Sequence, residues 1–161
     1  MSNVIVICGL KNSGKTTLIN SLVDAYHQKG LKVAVIKHDG HDFECDRPNT
    51  DTNSFTNHGA YGVACFSNNR MFVHRIGTND NEANLLQLFP EADLIFIEGL
   101  KNSTYPKIEI IRECISQTPV STPEGRFLIV SDFPAEKFNE RTVDIDDINT
   151  IMYYIDQEVN L

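Results

Sequence analysis

Short apolar runs alternate with helical patterns along the first forty residues. Val4–Cys8 is a run rich in β-branched residues, which is typical of a strand buried on both faces of a parallel sheet. Thr16–Lys29 carries apolar residues at helical spacing and is followed by Gly30, a residue type that commonly follows a helix C-terminus. Lys32–Ile36 is a second apolar run. The pattern predicts a β-α-β unit.

The same alternation continues along the rest of the chain, with one interruption by a hairpin. Asn68-Asn69 is a turn signal between two short strand patterns, Gly62–Ser67 and Met71–Arg75. The other predicted elements are strands at Asp93–Ile97, Lys107–Arg112 and Phe127–Val130, short helices at Thr52–His58 and Asn81–Phe89, and a closing helix at Asp146–Glu158. We expect a three-layer α/β/α fold with a mostly parallel sheet and one antiparallel hairpin.

Length and charge narrow the classes of function. The 161 residues suit a single domain, 1–161, and the composition of 41% hydrophobic and 22% charged residues is that of an ordinary globular protein. The net charge of −8 argues against a broad nucleic-acid or anionic-membrane surface. Residues 133–161 hold seven acids and two bases, so the preceding part is nearly balanced and leaves room for a local anion site.

The cysteines and the apolar runs indicate a reducing, soluble setting. The four cysteines are far apart, and Cys8 and Cys65 lie in apolar runs, which predicts that both are buried. No stretch approaches the roughly 20 apolar residues that span a bilayer, and no signal peptide opens the sequence. We therefore expect a cytoplasmic protein.

A glycine-containing loop joins the first predicted strand to the first predicted helix. Residues Gly9–Thr16 match the phosphate-binding pattern G-x-x-x-x-G-K-[ST] in full. The glycines let backbone N–H groups surround phosphate oxygens, while Lys15 contacts the β- and γ-phosphates and the Thr16 hydroxyl binds Mg²⁺. The motif predicts a P-loop NTPase fold that binds a nucleotide. Its candidate nucleotide-binding residues are Gly9, Lys11, Asn12, Ser13, Gly14, Lys15, Thr16 and Thr17.

A second metal ligand is expected where a neighbouring strand ends. Four apolar residues follow Asp93 and carry the chain to Glu98, which places Glu98 at the carboxyl edge of the sheet and Asp93 at the opposite edge. Glu98 is therefore the preferred Mg²⁺ ligand. The backbone N–H of Gly99 is a candidate donor to the γ-phosphate.

The polar segment 38–54 has two open interpretations. It is either a solvated loop or a switch-like loop that closes over the phosphates and offers an acid to Mg²⁺. Its spacing matches no known zinc finger. Lys37, at the end of the second strand, either contacts a phosphate or is solvated. The potential ligands in the segment are His38, Asp39, His41, Asp42, Cys45, Asp46 and Asp51.

Recognition of the base leaves two interpretations open as well. The N-K-x-D pattern that reads guanine in many GTPases is absent. Asp132 follows a predicted strand at the corresponding place, and a carboxylate there can accept hydrogen bonds from the N1 and N2 groups of guanine. An ordinary turn residue at the strand end is the alternative. The residues favour GTP over ATP only modestly.

The ordered set of motifs resembles the MobB family of adaptor proteins in molybdopterin-guanine dinucleotide biosynthesis. The resemblance runs from about Val4 to Asp132 and rests on the following residues. They are Gly9, Lys11–Leu18, Ile36–His38, His41, Phe43, Asp46, Glu98-Gly99, Lys101, Pro106–Glu109 and Arg112.

The resemblance implies a specific function and site. Members of this family bind GTP with Mg²⁺, hydrolyse it weakly, tend to form homodimers, and assist the MobA guanylyltransferase that joins GMP to molybdopterin. By the same resemblance, Asp51 joins Thr16 and Glu98 as a metal ligand. Lys101, Lys107 and Arg112 match positive positions near the nucleotide or the pterin phosphate.

Two other classes of function stay open. One is a small-metabolite kinase or ligase of the dethiobiotin synthetase type, with its acceptor over residues 38–54. The other is a metallochaperone GTPase, motivated by His38, His41 and Cys45. Because no residue is an obvious water-positioning group or arginine finger, we expect at most a weak GTPase.

Overall fold

The computed structural model of the chain describes residues 3–39, 46–77 and 81–161. The elements follow the alternation that the sequence predicts. In chain order they are β1 (Asn3–Gly9), α1 (Lys15–Gln28), β2 (Val33–Lys37), α2 (Asp51–Asn57), β3 (Gly62–Phe66), β4 (Met71–Arg75), α3 (Glu82–Leu86), β5 (Leu94–Glu98), β6 (Lys107–Ile111), β7 (Arg126–Ser131), a 3₁₀ turn (Ala135–Lys137), β8 (Thr142–Asp144) and α4 (Ile148–Val159).

The contacts within the chain group into two compact units. The first unit comprises Met1–His38 and Leu85–Leu161, and the second comprises Asp39–Asn84. The first contains the P-loop sequence and the larger sheet, and the second contains α2 and the hairpin β3–β4. A single domain spanning 1–161 therefore stays a prediction.

The first unit is built on a six-stranded sheet in which all neighbouring strands are parallel. Its order is β2-β5-β1-β6-β7-β8, so that β1 lies between β5 and β6. The register pairs Ile7 of β1 with Glu98 of β5, and Gly9 of β1 with Ile110 of β6. The carboxyl ends of these strands thus meet at one edge, as expected for a ligand-binding α/β sheet. The predicted mostly parallel α/β fold is confirmed.

Both faces of this sheet are covered, which explains the continuous apolar runs. Helices α1 and α4 pack on one face, where Leu22, Tyr26 and Ile155 are fully buried. On the other face, a smaller cluster that includes Val6 and Ile97 packs against partly buried residues such as Leu86 and Tyr105. The sheet core is therefore covered by helices α1 and α4 on one face and by residues of the 85–105 segment on the other.

A buried charged network ties β6, β7 and the loop between them together. The Arg126 guanidinium donates to Glu109 Oε2 at 3.1 Å through Nη1 and to both carboxylate oxygens of Glu140 at 2.6 and 2.8 Å. Glu109 also accepts from the N–H groups of Val120 and Ser121 at 2.5 and 3.1 Å. The side chains of Arg126 and Glu109 are only 5% and 1% exposed. The Glu109 carboxylate is therefore stabilised by one cation and by hydrogen bonds of the 118–125 loop.

The second unit is a short helix beside a two-stranded sheet. In α2, the Thr50 side chain caps the N-terminus by accepting from the Asn53 N–H at 3.3 Å. Strands β3 and β4 pair antiparallel, and the bond from Ser67 N–H to the Arg70 carbonyl, 2.8 Å, closes the predicted Asn68-Asn69 turn. The prediction that Cys65 is buried is wrong, because the hairpin forms a separate sheet of two strands and Cys65 is exposed on it. Cys8 is buried as predicted.

Two local differences from the sequence-based elements concern short segments. Strand β8, which has three residues and pairs with β7 through Val130 and Val143, was not predicted from the sequence. Helix α3 covers five residues rather than the nine predicted at 81–89. Tertiary pairing decides such short elements, since isolated pieces of this length are not stable on their own. Within the described ranges, none of the helices combines the length and apolar character that a bilayer crossing requires.

Removing the buried Arg126–Glu109 pair should lower stability more than removing the exposed Lys32–Glu91 pair. Arg126→Met leaves the Glu109 carboxylate buried without its cation, so we expect the free energy of unfolding to fall by about 3–5 kcal/mol. Urea denaturation measures this loss. Lys32→Met is the matched control, because the Lys32 and Glu91 side chains are 66% and 80% exposed and ion pairs in water add little to stability. Equal losses for the two variants would contradict the role of the buried network.

Candidate functional site: a P-loop at the carboxyl edge of the sheet

The P-loop leaves β1 at Gly9 through a passage too narrow for a side chain. A Cβ on Gly9 would lie 2.6 Å from the Ile110 carbonyl oxygen and 2.9 Å from Ser13 Oγ, and its φ of +141° disfavours other residues. Asn12 and Gly14 have φ values of 64° and 97°, in the left-handed region. The loop thus turns tightly over the end of β1 and begins α1 at Lys15, so that N–H groups of the helix N-terminus lie at the strand end.

The functional side chains of the loop differ in their surroundings. Lys15 Nζ donates to the carbonyls of Gly9 at 3.2 Å and Leu10 at 2.8 Å, so the ammonium group lies against the loop. Ser13 is 1% exposed, and its hydroxyl has no hydrogen-bond partner within the described residues. Lys11, Asn12 and Thr17 are exposed. The arrangement gives a cation and a helix N-terminus in one place, both of which attract an anion.

Thr16 and Glu98 meet at this edge, although they are far apart in sequence. Thr16 Oγ1 donates to Glu98 Oε2 at 3.1 Å. The contact follows from topology, because α1 begins at the end of β1 and β5 lies beside β1. A hydroxyl and a carboxylate are oxygen donors of the kind that Mg²⁺ prefers, and Mg²⁺ in nucleotide sites takes few protein ligands beside phosphates and water. The pair therefore fits a magnesium ion.

Gly99 follows this carboxylate and has a steric role in the structure. Its N–H donates to the Ile7 carbonyl at 2.9 Å. This is the N–H that the sequence analysis proposed as a donor to the γ-phosphate, and it is already hydrogen-bonded within the sheet. A Cβ on Gly99 would lie 3.0 Å from the His38 carbonyl oxygen, and its φ is +110°. Gly99 is thus required for the close approach of the chain after β5 to the chain after β2.

The second unit holds the remaining proposed metal ligand. Asp51 is the first residue of α2 and is exposed. Its place beside Thr16 and Glu98 stays a prediction. His41 and Cys45 lie outside the described residues, and the described part of the chain contains no group of three or more His, Cys, Asp and Glu side chains that could hold a metal.

Arg112 and Asp132 form an ion pair next to the P-loop. Arg112 Nε donates to Asp132 Oδ2, and the Glu113 N–H donates to Oδ1, both at 2.8 Å. A Cβ on Gly14 would lie 3.8 Å from Arg112 Nη1, so the guanidinium borders the start of α1. Partial burial acts to raise the pKa of Asp132, but the hydrogen bonds from Glu113 and Arg112 outweigh it and lower that pKa. Both oxygens of the predicted base-reading carboxylate are thus engaged within the protein.

The two lysines of the family resemblance have different environments. Lys107 is fully buried, and its ammonium group donates to the carbonyls of Lys101 and Ser103 at 3.3 and 2.6 Å and to Thr122 Oγ1 at 2.8 Å. Its ammonium group therefore joins the chain after β5 to the chain between β6 and β7. Lys101, by contrast, is exposed and free to contact an anion.

A cavity of about 180 Å³ lies beside Gly14. It was not predicted from the sequence. Its lining comes from α1, from the chain after β6 and from the chain between β8 and α4. The residues are Gly14, Thr17, Leu18, Ser21, Arg112, Ile145, Asp146 and Ile148. Detecting it in the sequence requires knowing that β8 exists, since β8 brings Ile145 and Asp146 to this edge.

The ion pair predicts a change in the titration of Asp132. In Arg112→Gln we expect the pKa of the Asp132 carboxyl to rise toward its ordinary value of 3.8, because one of its stabilising hydrogen bonds is lost. Carboxyl ¹³C chemical shifts measured against pH report this value. A lowered pKa in the folded state stabilises the protein at pH above the unfolded value, and this contribution is lost as pH falls through the folded value. Lys29→Gln, which removes a distant cation paired with Asp156, serves as the control. An Asp132 pKa that is unchanged in Arg112→Gln would contradict the conclusion that the hydrogen bond from Arg112 lowers it.

Comparison with known proteins shows which family this chain is similar to. The model described as Molybdopterin guanine dinucleotide synthesis protein B matches residues 4–132. The chain is 26% identical over 162 aligned residues to a Molybdopterin-guanine dinucleotide biosynthesis adapter protein of Escherichia coli, covering 96% of this chain and 92% of that one. It is 32% identical over 117 residues to a probable adapter protein of the same name from Bacillus subtilis, covering 68% of this chain and 65% of that one.

A solved structure agrees with these matches. The crystal structure of Bacillus subtilis MobB superposes with a TM-score of 0.78 at 22% identity and covers 97% of this chain and 98% of that chain, which shows the shared fold. The P-loop, the Thr16–Glu98 pair and the Arg112–Asp132 pair all lie within the matched residues 4–132. The chain therefore belongs to the MobB family.

Proposed function

We propose that this protein binds GTP with Mg²⁺ and acts as an adapter in molybdopterin-guanine dinucleotide biosynthesis. The observation that carries the proposal is the meeting of a complete P-loop with the Thr16–Glu98 pair at the carboxyl edge of a parallel sheet. The relatives in the family supply the pathway, since their names describe adapter proteins of this biosynthesis.

The phosphates are held by the loop between β1 and α1. Its backbone N–H groups at the helix N-terminus surround the phosphate oxygens, and the helix dipole adds favourable charge. Lys15 already lies against the loop through Gly9 and Leu10, so its ammonium group needs only to exchange carbonyl oxygens for phosphate oxygens. Lys101 is a further exposed cation at the end of the neighbouring strand β5.

Magnesium is held through Thr16 and Glu98, and we propose Asp51 as the additional acid. The ion supplies neutralisation of charge between the β- and γ-phosphates when it is bound. Thr16 and Glu98 orient each other in the structure through their 3.1 Å hydrogen bond. Binding of the ion therefore replaces an existing polar contact and does not require either side chain to leave a buried position.

Hydrolysis at this site is expected to be slow. Fast P-loop GTPases use an arginine that stabilises the transition state and a residue that orients the attacking water. Arg112 borders Gly14, but its guanidinium is tied to Asp132 at 2.8 Å, so it is not a free arginine finger. The protein is thus at most a weak GTPase, consistent with binding rather than turnover as its function.

The partners follow from the proposed adapter role. We propose that a homodimer assists a MobA-type guanylyltransferase in the cytoplasm and that molybdopterin is a further ligand. Some acids of residues 133–161 are paired, such as Glu140 with Arg126 and Asp156 with Lys29, while exposed acids such as Glu136 and Glu158 are available for solubility or partner contact. Neither a small-metabolite kinase nor a metallochaperone is proposed, because the family model that matches residues 4–132 is that of MobB.

Calorimetry of the full chain with Mg²⁺ and GTP tests the proposal. We expect micromolar or tighter binding in the wild type and a loss of at least tenfold in Lys15→Ala, because removing a hydrogen bond to a charged group costs about 1.5–3 kcal/mol. Lys32→Ala is the matched control, since Lys32 pairs with Glu91 at the opposite edge of the sheet. Glu98→Gln should weaken the dependence of GTP affinity on Mg²⁺. GTP affinity that persists in Lys15→Ala would defeat the P-loop assignment.

A further inference from the structure

The cavity beside Gly14 adjoins the P-loop on the side away from Glu98. Glu98 at the end of β5 marks the metal side of the P-loop, because it contacts Thr16. Strand β1 separates β5 from β6, and the cavity lies on the β6 side, where Arg112 follows β6. A nucleotide whose terminal phosphates face Thr16 and Glu98 therefore extends its nucleoside toward this cavity.

The cavity has the size and the walls of a site for one heterocyclic ring. Its volume of about 180 Å³ equals the share of roughly six water molecules in the liquid. Leu18, Ile145 and Ile148 supply apolar walls, while Thr17 and Ser21 supply hydroxyl groups from α1. Apolar walls with a few polar groups are typical of ligand pockets, because the walls bind the ring faces and the polar groups select its edge.

Three aspartates near the cavity differ in whether their carboxylates are free. Asp132 accepts from Arg112 and from the Glu113 N–H. Asp147 is the N-cap of α4 and accepts from the Thr150 N–H at 3.1 Å. Asp146 lines the cavity together with Arg112, whose charge it interacts with, and no hydrogen bond from a described residue to its carboxylate is present. Of the three aspartates, Asp146 therefore has the carboxylate with the most acceptor capacity for a ligand.

The backbone holds Asp146 in place for this role. Its N–H donates to Asp144 Oδ1 at 2.8 Å, and its carbonyl accepts from the Ile148 N–H at 3.1 Å. The preceding residue, Ile145, donates to the Ser131 carbonyl at 3.0 Å. The short connection from β8 to α4 is thus fixed on both sides of Asp146, which favours a precise contact.

We propose that this cavity binds the guanine base of the nucleotide and that the Asp146 carboxylate accepts from the guanine N1–H and N2 amino groups. The inference rests on the proposed binding of GTP and deepens it by assigning base selection to Asp146. Asp132 has a positioning role instead, because it holds Arg112 at the wall of the cavity. This assignment explains how a chain without the N-K-x-D pattern distinguishes guanine.

The chemistry of the base edge makes the proposal specific. Guanine presents two adjacent donors, which match two carboxylate oxygens, whereas adenine presents an acceptor at N1 that faces a carboxylate unfavourably. An asparagine at the same place presents one acceptor and one donor. That pattern matches xanthine, which has a donor at N1 and a carbonyl oxygen at position 2. We therefore expect Asp146→Asn to lose affinity for the guanine nucleotide and to gain affinity for the xanthine nucleotide.

The test compares three ligands by calorimetry with Mg²⁺ in wild type and Asp146→Asn. We expect the wild type to bind GTP at least tenfold more tightly than ATP, and Asp146→Asn to lose at least tenfold in GTP affinity while gaining in xanthosine triphosphate affinity. Inorganic tripolyphosphate, which has no base, should bind both proteins equally. Glu158→Gln removes one charge at the far end of α4 and should leave all affinities unchanged.

A second variant and the possible outcomes separate the two proposals. Ser21→Phe fills the cavity from α1 and should weaken GTP binding at least tenfold without affecting tripolyphosphate. If the wild type binds neither GTP nor tripolyphosphate, the proposed function itself is overturned. If GTP binds but Asp146→Asn keeps the wild-type preference, or loses tripolyphosphate equally, only the assignment of the base is overturned. A wild type that prefers ATP also overturns it.

Discussion

The parallel pairing of β1 with β5 on one side and β6 on the other is the constraint on which the candidate site depends. This pairing brings the ends of three strands to one edge, so Gly9, Glu98 and the chain after Ile111 meet there. The narrow contact of Gly9 with the Ile110 carbonyl fixes the start of the P-loop relative to β6. Because the loop is anchored in this way, Thr16 faces Glu98 on the β5 side and Gly14 faces Arg112 on the β6 side.

Three of the cations near the sheet are bonded within the protein, which matters for a chain of net charge −8 that is proposed to bind an anion. Lys107 holds the loop after β5, Arg126 compensates the buried Glu109, and Arg112 is paired with Asp132. Each of these cations orders backbone around the edge of the sheet and is not primarily a ligand group. In the proposed function, the positive potential that attracts phosphate therefore comes from Lys15, from exposed Lys11 and Lys101, and from the N-terminus of α1.

The sequence predicts the parts of this structure that depend on local pattern. The apolar runs predict the central strands, because strands buried on both faces need apolar residues throughout. The P-loop motif and the apolar residues before Glu98 predict the phosphate edge, where the structure places Glu98 3.1 Å from Thr16. Arg112 and Asp132 pair across twenty positions of the sequence, so no local sequence pattern predicts their contact. The cavity depends on β8, whose three residues carry too little periodicity to be recognised.

A crystal structure of the protein with Mg²⁺ and a non-hydrolysable GTP analogue tests the central claim most directly. The account predicts phosphate oxygens at the backbone N–H groups between Gly9 and Thr16, with the ion bound by Thr16 and Glu98. It places the guanine ring in the cavity lined by Leu18 and Ile148, with its N1 and N2 groups on Asp146. A nucleotide bound away from the P-loop would contradict the proposed function. A nucleotide bound at the P-loop with its base outside the cavity would contradict the role of Asp146.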